Sequence, residues 1–257
     1  MIFSPVIRSL EKKVYNCSRF LGLPDLVKAV VPEAKNILEV DVDVNRGIED
    51  LNKQMIRAAS KLDISEKQLK QAAEKAKRAH LRYLGIMRKF GLSYPQAIDY
   101  LDQKAGYEIP RNGHAELEIG LLGHPYVLHD DYINHNLIQR IKSFNVKVYT
   151  PEMLTRRALR KGIKDIAGYS YWTSEADVLG AAGAYLDNRL DGIIGATAFS
   201  CGPDSLMMNL AERAARSRDS TPFLCLTIEE HSSDTGLVTR LEAFLEMIIR
   251  RKRTAKI

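Results

Sequence analysis

Cysteine is scarce in this chain: three among 257 residues, at positions 17, 201 and 225. An odd number without short repeat spacing excludes a disulfide framework, and the lack of a closely spaced pair excludes a zinc-finger type of site. Aromatic residues make up 7% of the chain, and none is interleaved with the basic positions, so a stacking platform for single-stranded nucleic acid is missing. No apolar run approaches the roughly 20 residues that a membrane span needs, and "MIFSPVIRSLEKK" has too short an apolar stretch for a signal peptide. The expectation is a cytoplasmic protein with reduced or metal-bound thiols, no nucleic-acid partner and no membrane partner. The usual nucleotide and hydrolase signatures are missing as well: there is no Walker loop, no G-x-G-x-x-G and no G-x-S-x-G.

What is present starts with a formal charge of +6, part of it gathered in "RRKRTAK" at residues 250–256, which reads as a solvated helix end and fraying terminus. With 45% hydrophobic residues the chain is long enough to bury a sizeable core. Residues 1–46 hold a strand-like "MIFSPVI" and a short helix in "LPDLVKAVV", and read as the remnant of an α/β domain whose sheet is incomplete. Residues 47–112 are a helical region and linker: Leu69, Ala73, Ala76, Tyr83 and Met87 lie near one face, and His80 is read as packing on the same stripe. Helix breaks are expected near Asp63 and Gly91, with Ser65 and Gln68 as a capping box. The Gly, Pro and Asn of "GYEIPRNGHAE" mark a linker.

From residue 113 to 257 strands alternate with helices: strands at 117–123, 146–150, "DGIIGATAF" and "PFLCLTI", helices at 130–144, 175–189, "DSLMMNLAERAARS" and "GLVTRLEAFLEMIIRRK". This alternation implies βαβ units and a small doubly wound, flavodoxin-like or Rossmann-like parallel sheet of about four strands. The fold class is therefore α/β. In such sheets ligands bind beyond the carboxyl ends of the strands. There the chain offers "GHPYVLHDD", "TPEM", "SCGPDS" and "EEHSSDTG", with His124, His231, Cys201 and several carboxylates. Cys201 stands where a helix begins, with Gly202 and Pro203 after it. Helix-terminal N–H groups favour a thiolate there, the form that ligates metal or attacks an electrophile, whereas the alternative is a small buried apolar residue. His124 reads as an acid, a ligand or a turn cap, and Cys225 as a residue of the strand core.

The segments "CSRFLGLPD" (17–25), "GLLGHPYVLHDDYINHNLI" (120–138), "FSCGPDSLMMNLAER" (199–213) and "PFLCLTIEEHSSDTGLVTRLEAFLEMI" (222–248) together resemble the acyl-CoA dehydratase activase-related proteins, relatives of the iron–sulfur D-component of 2-hydroxyglutaryl-CoA dehydratase. The resemblance implies two α/β domains with a helical region between them, and an iron–sulfur cluster, [4Fe–4S] in type, with Cys17 and Cys201 as ligands, His124 lining the site, and Asp204 and Ser205 opening the helix behind Cys201. It also implies low-potential electron transfer or a dehydratase-like component, with ATP spent in a partner activase and an acyl-CoA as substrate. Family members carry a further cysteine in an upstream Cys-Leu-Pro-like motif that this sequence does not contain. The expectation is then a second polypeptide, or a second copy, that supplies the remaining cluster ligand. Two other classes compete: a metal-free binding or interaction module, and a cysteine-dependent thioester hydrolase using Cys201 with His124 or His231.

Overall fold

The computed structural model describes residues 1–102, 115–218, 221–231 and 234–254. Most of the linker expected at 106–116, and two residues of the loop at 229–236, therefore lie outside the described residues. The chain divides into two compact units, one of residues 1–82 with 170–174, the other of residues 83–169 with 175–257.

In the first unit, β1 (Ile2–Phe3) pairs in parallel with β3 (Ile37–Leu38), and β2 (Val6–Ser9) in parallel with β4 (Asp41–Asp43). The crossover carries the short helices α1 (Ser18–Leu21) and α2 (Leu23–Val30), Pro24 falling in the first turn of α2 where its missing N–H costs nothing. Arg8 Nε donates to Asp41 Oδ1 at 2.8 Å, tying β2 to β4. A small core of Leu38, Val40 and Ala58 packs under α3 (Ile48–Ser60).

The long helix α4 (Glu66–Phe90) starts from the expected capping box: Ser65 N–H donates to Gln68 Oε1 at 3.0 Å, and Gln68 N–H to Ser65 Oγ at 3.4 Å. Its expected apolar stripe is only partly buried. Met87 is buried and Leu69 and Tyr83 are half-buried, but Ala73, Ala76 and His80 are exposed. Alanines at helical spacing supply helix propensity but little apolar area, so the period alone did not mark a packed face. Beyond the turn at Gly91, α5 (Tyr94–Leu101) joins a satellite core of Met87, Leu92 and Ala97.

The second unit holds the main sheet: β5 (Leu117–Leu122), β6 (Val146–Tyr149), β7 (Gly192–Ala198) and β8 (Phe223–Ile228), all parallel, in spatial order β6-β5-β7-β8. The four strands stand where the alternating pattern expects them. Strand order reverses between β5 and β7, and such a switch point opens a crevice at the carboxyl ends of its two strands. The central strands are buried at all but one residue each because they face helices on both sides, which is why they read as near-continuous apolar runs.

Of the helix expected over 130–144 only α7 (Leu137–Lys142) forms, preceded by a turn and, before residue 130, by the short α6 (Pro125–His129). Asp130 Oδ1 accepts from the backbone N–H of Tyr132 and Ile133, the Asn134 amide donates to the Val127 and Leu128 carbonyls, and Asn134 Oδ1 accepts from Leu137 N–H. His135 and Asn136 then take left-handed backbone conformations, with φ of 54° and 58°. Local bonding by Asp and Asn out-competes a continuous helix here.

Helix α8 (Arg156–Ile166) was not anticipated, although Leu159, Gly162, Ile163 and Ile166 keep helical spacing. It packs on α9 (Thr173–Asp187), the helix before β7 that is apolar from Val178 to Leu186, through facing glycines. The last two helices are α10 (Gly202–Ser217) and α11 (Asp234–Thr254). Within the described residues the basic end of α11 is solvated, as expected, and two of its side chains are tethered to the sheet's edge. Lys252 Nζ donates to Asp191 Oδ2 at 2.7 Å, and the Arg253 guanidinium to Glu116 Oε1 at 2.9 Å.

Candidate functional site

The crevice at the switch point is built by two tight turns. At the end of β5, Gly123 passes so close to β7 that a Cβ there would lie 2.5 Å from the Ala196 carbonyl oxygen. This approach sets His124, the next residue, at the start of α6 and against the end of β7, with its ring only 3% exposed. At the end of β7, Ser200 adopts a left-handed φ of 63° and Cys201 N–H donates to the Ala198 carbonyl, turning the chain into α10 with Cys201 as its N-cap. A non-glycine residue held in that region stores strain of about 1 kcal/mol or more, a cost that recurs at functional turns. Asp204, in the first turn of α10, points inward and is fully buried.

The result is a compact group. One donor atom each from His124, Cys201 and Asp204 lies within 4.8 Å of the others. His124 Nδ1 is 3.4 Å from Asp204 Oδ2, and His124 Nε2 is 3.9 Å from Glu175 Oε1 on α9. Both ring nitrogens of His124 and both carboxylate oxygens of Asp204 are buried without a hydrogen-bond partner. Polar interactions with Thr197 and Cys201 draw the Asp204 pKa down. Burial prevails and pushes the Asp204 carboxyl up to about 6. It also raises Glu175 and lowers His124, the latter opposed by the Glu175 charge. Four orphaned polar atoms in one buried spot depart from the near-universal pairing of buried polar groups.

Of the residues singled out in sequence, His124, Cys201 and Asp204 come together. Ser205 is exposed, its hydroxyl donating to the Cys201 carbonyl at 2.9 Å, so it closes the first turn of α10. His231 is exposed after β8. Cys225 is half-buried in the middle of β8, and burial raises its thiol pKa. Cys17 is the N-cap of α1 in the first unit. Glu175 was missed. Its only signal is an acidic residue opening "VLGAAGAYL", a stretch with no polar face to receive it.

Elsewhere in the same unit a cleft of about 540 Å³ lies beside β6, lined by Arg88, Lys89, Lys142 and Lys147 over Leu92 and Val148. No described helix is long and apolar enough to cross a membrane. No curated protein matches the chain. Residues 1–154, more than half of the sequence, match the family model described as the CoA enzyme activase uncharacterised domain, and the chain belongs to that family.

Proposed function

We propose that this protein is a metal-binding component of a CoA-thioester enzyme system, with its metal centre in the crevice between β5 and β7. The observation that carries this reading is the buried group of His124, Cys201 and Asp204 at the switch point, with its four unpartnered polar atoms. Cys201 would supply the thiolate, Asp204 a carboxylate and His124 an imidazole, and Glu175 would hold the far side of the ring. A bound cation would supply Lewis acidity toward a thioester carbonyl at the strand edge. The cationic cleft beside β6 supports an acyl-CoA as ligand, because its four cations suit the CoA phosphates while its apolar wall suits an acyl chain. Three cysteines, none of them in a disulfide, suit a reducing, cytoplasmic setting.

The D-component resemblance implies a [4Fe–4S] cluster, and the residues present do not fit one held by this chain alone. A cubane takes about four cysteine thiolates. The whole sequence has three cysteines, and of these only Cys201 belongs to the buried donor group. A cluster would need thiolates from a second polypeptide or a second copy. ATP turnover belongs to a partner activase, since no nucleotide-binding loop is present in the sequence.

The test is anaerobic purification of the full chain followed by metal analysis. A transition metal that is retained by the native protein and by Cys225→Ser, and lost by Cys201→Ser, is the expected result. A chain that stays metal-free as purified and after reconstitution, with Cys201 instead alkylated fast and with loss of thioester hydrolysis, would overturn the reading in favour of a cysteine hydrolase.

A further inference from the structure

We infer that the crevice takes a single divalent transition-metal ion, ligated by Cys201 Sγ, His124 Nδ1 and one Asp204 carboxylate oxygen, with Glu175 positioning the imidazole from behind. This rests on the metal-centre reading above and adds the nuclearity, the class of ion and the ligating atoms.

Geometry is the first support. An ion with bonds of about 2.0–2.2 Å to nitrogen and oxygen and about 2.3 Å to sulfur holds tetrahedral ligand atoms roughly 3.3–3.6 Å apart. The Nδ1 to Oδ2 separation of 3.4 Å is already that of two ligands on one ion. All three donors lie within 4.8 Å of one another, so the thiol stands beside the other two. Each protein ligand of a cubane binds a different iron, so its donors surround the cluster instead of crowding toward one point.

Satisfaction of buried groups is the second. Neither His124 nitrogen and neither Asp204 oxygen has a hydrogen-bond partner, although His124 is 3% exposed and Asp204 fully buried. One cation between them would partner an Nδ1 lone pair and the carboxylate together. The remaining ring nitrogen, Nε2, faces Glu175 Oε1 at 3.9 Å. Metal-bound histidines almost always donate their other N–H to such a group, which fixes the tautomer and strengthens the ligand. Glu175 is 2% exposed at the head of an apolar helix, and this role accounts for an acid there.

The donor chemistry is the third. One thiolate, one imidazole and one carboxylate suit Zn²⁺ or Fe²⁺ and not the hard cations Mg²⁺ and Ca²⁺, which take all-oxygen sets. Three protein ligands leave a position for water or substrate, the arrangement of catalytic rather than structural sites.

The experiment uses the full chain purified without oxygen. Metals and acid-labile sulfide are measured per chain, then Co²⁺ is exchanged in and the thiolate-to-cobalt charge-transfer band recorded. About one metal per chain, no labile sulfide, and a band that disappears in Cys201→Ser are expected. Serine is a good N-cap, so that variant keeps the start of α10 intact. Glu175→Gln is expected to weaken Co²⁺ affinity by about 10–100-fold while leaving the band in place, the signature of a positioning residue. Cys17→Ser is expected to keep both metal and band. Iron with equimolar sulfide, or loss of metal in Cys17→Ser, would overturn the single-ion assignment and leave the metal-centre reading standing. No binding of Co²⁺, Zn²⁺ or Fe²⁺ would remove both.

Discussion

The contact between α8 and α9 allows one substitution to be made twice with opposite outcomes. A Cβ on Gly162 would lie 2.1 Å from the Gly180 carbonyl oxygen and about 3 Å from two further backbone atoms of α9. Backbone cannot rotate away as a side chain can, so Gly162→Ala has to push the helices apart. Overpacking of this kind costs about 1–3 kcal/mol, and the clash here is at the severe end. The alanine also gains about 1 kcal/mol of helix propensity, leaving a net loss of about 2 kcal/mol. Gly85, in the interior of α4, has nothing within 4 Å of its added Cβ. Gly85→Ala therefore keeps the propensity gain alone and stabilises by about 0.5–1 kcal/mol. Thermal denaturation of the two variants, followed by far-ultraviolet circular dichroism, should show Gly162→Ala lowered by about 4–8 °C and Gly85→Ala raised by about 1–4 °C. Equal shifts of the same sign, or an unaltered midpoint for Gly162→Ala, would refute the close packing of these helices.

Three further outcomes follow from the site. In metal-free protein, Asp204 has a folded-state pKa of about 6 against an ordinary 3.8, so the folded state binds the proton more tightly and stability falls as pH rises from about 4 to 6. The span corresponds to about 3 kcal/mol at most, and Asp204→Asn should flatten this fall when urea midpoints are compared at pH 4.5 and 7.5; an unchanged slope would contradict it. Iodoacetamide mapped by peptide mass should modify Cys225 slowly at pH 7.5, because burial raises its pKa, and bound metal should protect Cys201. Free CoA should raise the thermal midpoint of the native chain, and the double change Lys89→Glu with Lys142→Glu should abolish that rise if the cleft beside β6 is the CoA site.

Much of the second unit was legible in the sequence because its two central strands are buried on both faces. "LEIGLL" and "GIIGATA" are near-continuous apolar runs bounded by turn residues, and their alternation with helices leads directly to a parallel sheet whose site lies at the strand ends. His124 and Cys201 were found for the same reason, since each follows a strand end by a few residues, whereas Asp204 was named through the family resemblance. Glu175 was not, because it reaches the crevice from a helix start rather than from a strand end, and nothing local distinguishes a buried acid at that place from an ordinary first-turn carboxylate. The turn that replaces the first half of the helix expected over 130–144 was missed because side-chain bonding by Asp130 and Asn134 decides it, not apolar spacing. The exposed middle of α4 shows the converse failure, where alanine periodicity reads like a packing face without the area to make one.

The most direct test of the account is X-ray absorption at the metal edge on the anaerobically purified chain. The account predicts one sulfur scatterer at about 2.3 Å, two or three nitrogen or oxygen scatterers at about 2.0–2.2 Å, and no second metal nearby. Three or more sulfur scatterers with a short metal–metal vector would contradict it.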